Sequence, residues 1–226
     1  MKIACLTQKP IQTLNLIYML AQNDIHFDLI LFFKKRKNQK FNKNDEGKHS
    51  YAALKYQCNK MSIPLYNVSN NNPARIKSFL LQKKIDYGIS LVADTIINYK
   101  IIEKFKKGIF ATHAGILPNF KGVDANKWAI LNNYKKVGIS LYKLDGGVDA
   151  GPIIKVVRQN YKGKFKKLEE INRRLYYTYK LKLFVDLFKN IKNKKTIIYK
   201  KNSTSFKQYY KMKNKLVKIV ERKLSE

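Results

Sequence analysis

His113 stands in the segment Gly108-Ile-Phe-Ala-Thr-His-Ala-Gly-Ile-Leu-Pro-Asn-Phe-Lys-Gly122, just past an apolar run and ahead of a loop shaped by Pro118 and Gly122. A second polar loop, Leu144-Asp-Gly-Gly-Val-Asp-Ala-Gly-Pro152, carries Asp145 and Asp149 among three glycines whose backbone freedom suits a tight loop. A histidine beside a buried carboxylate has a defined chemistry. The carboxylate fixes the tautomer and favours the imidazolium, so the ring can exchange protons with a reacting group, as acyl transfer to an amine requires. Taken singly, each loop also has a plain structural explanation: His113 satisfies a local carbonyl, and Asp145 and Asp149 make turns, the usual role of Asp beside Gly.

Such loops need elements to carry them. Lys2 to Thr7 reads as a buried strand, and Pro10 opens a helix with Ile11, Leu14, Ile17 and Ala21 at helical spacing. Phe27 to Phe33 is a second apolar run, followed by a basic stretch of Lys34, Lys35, Arg36, Lys37, Lys40 and Lys43, and by a helical segment around Tyr51 to Met61. Ile63 to Val68 supplies a strand, Asn72 and Pro73 start a helix, and Tyr87 to Ala93 returns as a strand. Ile96 to Phe105 reads as helix, Gly108 to Thr112 as strand, Asp124 to Leu131 as helix with Asp124 as N-cap, and Val137 to Leu144 and Pro152 to Val157 as strands. This alternation predicts an α/β fold: a Rossmann-like, doubly wound, mostly parallel sheet whose ligands bind beyond the carboxyl ends of the strands. From Phe165 onward helical spacing takes over, so residues 1–160 read as the catalytic domain and 161–226 as a helical, basic C-terminal appendage that packs.

Composition narrows the classes. With 226 residues and 45% hydrophobic content, the chain supports one substantial core. Lys and Arg outnumber Asp and Glu by 47 to 15, a formal charge of +32 that suits anionic partners, although the lysines are spread along the chain as a compositional bias would spread them. Two cysteines, Cys5 and Cys58, give no disulfide framework and no zinc cluster, and no apolar run approaches the roughly 20 residues of a membrane span. A soluble, cytoplasmic protein without metal is the expectation. Tyr209 and Tyr210 among lysines carry no recognised nucleic-acid motif and read as an amphipathic helix.

Together, the two loops resemble the 10-formyltetrahydrofolate-dependent formyltransferase family, whose pattern is Asn-x-His, then a Leu-Pro-x-x-x-Gly loop, then Asp-x-Gly-x-Asp-x-Gly. His113, Leu117, Pro118 and Gly122 fall on the first part, and Asp145, Gly147, Asp149 and Gly151 on the second. The resemblance is strongest over Asp86 to Arg158 and implies the family's fold, with His113 and Asp149 as catalytic residues. It also implies folate beside Leu91, Val92, Ala93 and Asp94 and beside Asp145, Gly147 and Val148, and substrate contacts at Pro118 and Gly122. In layout the chain is similar to small nucleotide-sugar N-formyltransferases, which implies a nucleotide-linked amino sugar as acceptor. Glycinamide ribonucleotide and methionyl-tRNA are the alternative acceptors; formyltransferases of the first carry a Gly/Ser-rich phosphate loop that Thr7-Gln-Lys-Pro10 lacks, and those of the second a C-terminal barrel for which the helical tail is expected to be too short.

One position departs from the pattern: Ala111 stands where the family has Asn. That Asn donates to the formyl oxygen, and losing one such donor costs about 10²- to 10³-fold in turnover. Thr112 is out of phase with that face, leaving Asn126 or Lys127 as substitute donors. The alternative to a slowed enzyme is a non-catalytic protein that kept the fold and binds folate, a nucleotide or RNA.

Overall fold

The computed structural model describes residues 1–33, 46–69, 72–92, 96–165, 167–203 and 207–225. Its strands form a mostly parallel seven-stranded sheet in the order β3-β2-β1-β4-β5-β7-β8, where β1 is Ile3–Thr7, β2 Leu29–Phe33, β3 Leu65–Val68, β4 Tyr87–Leu91, β5 Gly108–His113, β7 Lys136–Lys143 and β8 Ile153–Asn160. A separate two-stranded ribbon joins β6, Lys121–Gly122, to β9, Gln208–Tyr209. This is the α/β class expected from the alternation. The chain divides into two compact units, Met1–Ala111 with Leu187–Lys195, and Thr112–Asp186 with Thr196–Glu226. The segment read from sequence as an appendage therefore contributes to both.

In the first unit, all five residues of β1 are buried, as befits a parallel strand covered on both faces. Helix α1, Pro10–Ala21, begins with proline at its first turn and turns Leu16, Ile17 and Leu20 inward. α2 covers Glu46–Lys60. α3, Pro73–Gln82, starts where Asn72 accepts a hydrogen bond from the Arg75 N–H at 3.1 Å, the N-cap expected there. The helix expected over Ile96 to Phe105 shrinks to α4, Tyr99–Ile102, because the Asn98 side chain caps Lys100 N–H and sets a later start. Phe188 packs edge-on against both Tyr87 and Phe110, at 5.8 and 6.1 Å between ring centroids. Cys5 and Cys58 are free, buried thiols, and burial raises the pKa of both.

In the second unit, β7 and β8 pair antiparallel over their length, with an irregularity at Leu141/Tyr142. α5, Ala125–Leu131, follows Asp124, but Asp124 is not its side-chain cap. Its backbone is left-handed at φ 58°, and its carboxylate instead accepts from Met212 N–H at 3.0 Å and pairs with Lys127 at 2.9 Å. The late helical stretch runs as α6, Leu168–Arg174, a π-helical turn over Leu175–Lys180, and α7, Leu181–Lys192. Tyr209 and Tyr210 are not helical: Tyr209 ends β9, and the last helix, α8, spans Asn214–Ser225. The ladder bonds to β6 and the stacking of Tyr209 on Trp128 and Phe120 override the helical spacing. No described helix is long and apolar enough to cross a membrane, and the described residues contain no cluster of His, Cys, Asp and Glu able to hold a metal.

Candidate active site

The last residue of β5 is His113, and the loop after it is pinned rather than loose. Ser140, fully buried on β7, donates its hydroxyl to Gly115 O at 2.7 Å and accepts from Leu117 N–H at 3.0 Å, fixing the turn into the cis Leu117–Pro118 bond. Gly115 has no side chain for a packing reason: a Cβ there would collide with His113 Nε2. The loop ends at Gly122, left-handed at φ 89°, where a Cβ would collide with Tyr209 O.

The two sequence-predicted catalytic residues meet. His113 Nδ1 lies 3.1 Å from Asp149 Oδ2, with side-chain exposures of 7% and 15%. Asp149 Oδ2 also accepts the Gly122 N–H at 2.9 Å, and its Oδ1 accepts the Tyr142 hydroxyl at 2.9 Å. Burial alone would raise the Asp149 carboxyl, but the His113 bond and charge, the Gly122 N–H and the Tyr142 hydroxyl outweigh it and hold the carboxyl below its ordinary value. Tyr142 moves the other way. Burial, then the adjacent Asp149 charge, pushes its phenol well up, so it stays protonated and donates.

The other ring nitrogen of His113, Nε2, lies 2.7 Å from Phe120 O. A neutral imidazole carries one N–H and one lone pair, so with a carboxylate and a carbonyl facing its two nitrogens, only the doubly protonated ring donates to both. Sequence reasoning foresaw a carbonyl or a carboxylate as the partner of His113. The structure supplies both.

The remaining expected residues sort differently. Asp145 Oδ1 accepts the Gly147 N–H at 3.0 Å, a local Asx turn that leaves Gly147 and Val148 exposed at the loop tip. Gly122 is committed to Asp149 and to β9, while Pro118 is half-buried. Leu91 is buried at the end of β4, and the Val92 N–H reaches Ser90 Oγ at 3.4 Å. Ala93, Asp94 and the basic stretch from Lys34 to Lys43 lie outside the described residues.

Ala111 is buried on β5, paired with Ser90. Neither expected substitute donor is available to replace the family Asn. Asn126 spends its amide on Gly138, donating to its carbonyl and accepting from its N–H, both at 2.9 Å, and Lys127 is paired with Asp124. Sequence reasoning missed Tyr142 and Asn202, the latter donating through Nδ2 to the carbonyls of Asp149 and Gly151. Tyr142 lies seven residues before Asp149, within reach of a strand-end pattern; nothing local marks Asn202.

Residues 1–177 match the family model described as formyl transferase. This chain belongs to that family. Its catalogued relatives include the methionyl-tRNA formyltransferase of Finegoldia magna, 25% identical over 165 residues that make up 73% of this chain and 50% of that protein. The chain thus spans about half the length of that relative. Among solved structures, the phosphoribosylglycinamide formyltransferase of Bacillus halodurans superposes with a TM-score of 0.66 at 16% identity, covering 84% of this chain and 95% of the other. A sugar N-formyltransferase from a Shewanella species superposes at 0.64 and 14% identity, covering 99% and 87%. At these identities the likeness to both structures is one of fold.

Proposed function

We propose that this formyl transferase family member moves a formyl group from 10-formyltetrahydrofolate to the primary amine of a nucleotide-linked amino sugar. The observation that carries the reading is the His113–Asp149 pair, in which the carboxylate from the second family loop accepts the Gly122 N–H of the first and the Tyr142 hydroxyl of β7. Among acceptors, the amino sugar is favoured over glycinamide ribonucleotide because Thr7-Gln-Lys-Pro10 lacks a Gly/Ser-rich phosphate loop after the first strand. The Asp145–Val148 loop fits a ligand held mainly through main chain: Asp145 braces the turn, and Gly147 leaves its tip without a side chain.

The folate supplies an electrophilic formyl carbon. The acceptor's neutral amine forms a C–N bond to that carbon, the bond to the folate nitrogen breaks, and one proton passes from the amine to the departing nitrogen. His113 carries that proton and places positive charge near the developing oxyanion, and Nε2 does so by exchanging the Phe120 carbonyl for the reacting group. Asp149 holds Nδ1 and balances the imidazolium charge. Pro118, half-buried on the same loop, borders the acceptor, whereas Gly122 acts through Asp149.

Ala111 favours one second reading, a folate-binding protein without turnover, because no side-chain donor stands at the position of the family Asn. Tetrahydrofolate release, measured against nucleotide-linked amino sugars, glycinamide ribonucleotide and methionyl-tRNA, decides between them. Release with the amino sugars supports the proposal. Folate binding without release for any acceptor overturns it in favour of the second reading.

A further inference from the structure

Residues 200–203 and 207–209, read from sequence as part of a packing appendage, make polar contacts with the two family loops. Ile153 and Lys200 exchange backbone bonds, Ile153 N–H to Lys200 O at 2.9 Å and Lys200 N–H to Ile153 O at 2.7 Å, which seats the chain beside the end of the Asp loop. Asn202 then turns inward, 8% exposed, and its Nδ2 donates to Asp149 O at 2.8 Å and to Gly151 O at 2.9 Å. One residue later the carbonyl of Ser203 accepts from buried Lys121, next to Gly122 on the His loop. Val123 N–H donates to Tyr209 O at 3.0 Å, and β6 pairs with β9. Asn202 and Ser203 on one side and Tyr209 on the other thus brace both loops.

The brace matters most at Asp149. Its φ of 48° is left-handed, a conformation that costs free energy for a residue with a side chain and persists where surrounding contacts hold it. The carbonyl of Asp149 itself and that of Gly151, two residues on, both accept from a single side-chain amide. The Asn202 Oδ1 is itself buried with no hydrogen-bond partner among the described residues, so the amide is used for its two N–H donors rather than for its acceptor.

We infer that Asn202 is a positioning residue of the reaction site: its carboxamide fixes the backbone at Asp149 so that the carboxylate meets His113 Nδ1. This rests on the formyl-transfer reading for its catalytic meaning but not for its geometry. Aspartate is isosteric with asparagine and donates nothing to a carbonyl when ionised, so Asn202→Asp removes the donors and keeps the volume.

The full-length variant is compared with wild type by thermal unfolding, by the imidazole N–H resonances of ¹⁵N-labelled protein, and by steady-state turnover. Only three histidines are present, and His113→Gln assigns the signal. The expected result is a folded Asn202→Asp protein whose His113 Nδ1–H resonance moves or broadens, with kcat down by about 10²-fold, as for a misplacement of about 1 Å, and KM little changed. A folded variant with an unchanged His113 resonance overturns the assignment. If the aspartate prevents folding, Asn202→Ser keeps a single donor and is judged by the same resonance. The resonance decides the role of Asn202 even where the wild type turns over no acceptor, and that lack of turnover counts only against the formyl-transfer reading.

Discussion

The first unit and the second are each stabilised internally by a different kind of contact. In Met1–Ala111 the helix starts explain themselves locally: Pro10 opens its helix, Asn72 caps Arg75 three residues on, and Asn98 caps Lys100. In the second unit the bonds that fix the site join residues far apart in sequence, such as Gly122 with Asp149, Lys121 with Ser203 and Asn202 with Gly151. Local contacts set the helix starts of the first unit, whose distant bonds, Lys2 N–H to Asp86 and Ile3 N–H to Asp28, anchor the entry of β1. In the second unit such bonds define one arrangement of two glycine-rich loops, so here a single side chain can change the chemistry as well as the stability.

That contrast is tested most severely at its centre. His113→Ala should lower kcat by about 10²- to 10⁴-fold, the range for removal of a positioned acid–base group, in the tetrahydrofolate release assay. Retained activity would place the reaction elsewhere in the chain. Ala111→Asn restores the side-chain donor of the family pattern and should raise kcat by up to about 10²- to 10³-fold if that donor limits turnover. No gain would mean that the surroundings of Ala111 have closed over the space an asparagine needs.

The scaffold was largely legible because its signals are short-range. Continuous apolar runs gave the parallel strands, and proline or asparagine at helix starts gave α1 and α3. The pairing of His113 with Asp149 was legible only through the motif, since nothing in the spacing of residues 113 and 149 requires contact. What stayed hidden depends on partners far along the chain. Asp124 had the residue type of an N-cap but met Met212, Asn126 had the type of a donor but met Gly138, and Tyr209 had helical neighbours but met Gly122. In each case a tertiary hydrogen bond won over a local preference.

Tyr142 probes the site of the second unit more gently. Tyr142→Phe removes one hydrogen bond to a charged carboxylate, worth about 1.5–3 kcal/mol. Because the native Asp149 carboxyl lies below its ordinary value, its ionised form adds stability above about pH 4, the usual Asp value, and that stability is lost as pH falls through the lower native value. The variant brings the native value back toward the ordinary one. Urea unfolding should therefore show the largest gap between wild type and variant near neutral pH and a closing gap on acidification; a gap that widens in acid would contradict the assigned direction.

The smallest effect belongs to the local side. Asn72 is exposed, its Oδ1 accepts from Arg75 N–H at 3.1 Å, and Pro73 follows at the first helical position, so its whole contribution is to the start of α3. Asn72→Ala should cost about 1 kcal/mol in urea unfolding, the usual value of an N-cap, and leave both turnover and the His113 resonance as in wild type. The same substitution type at Asn202 removes donors that no local geometry can replace, and there the resonance should respond. If Asn72→Ala also disturbed His113, the scaffold would not be locally self-sufficient, and the contrast between a helix start that holds itself and loops that must be held from a distance would fail.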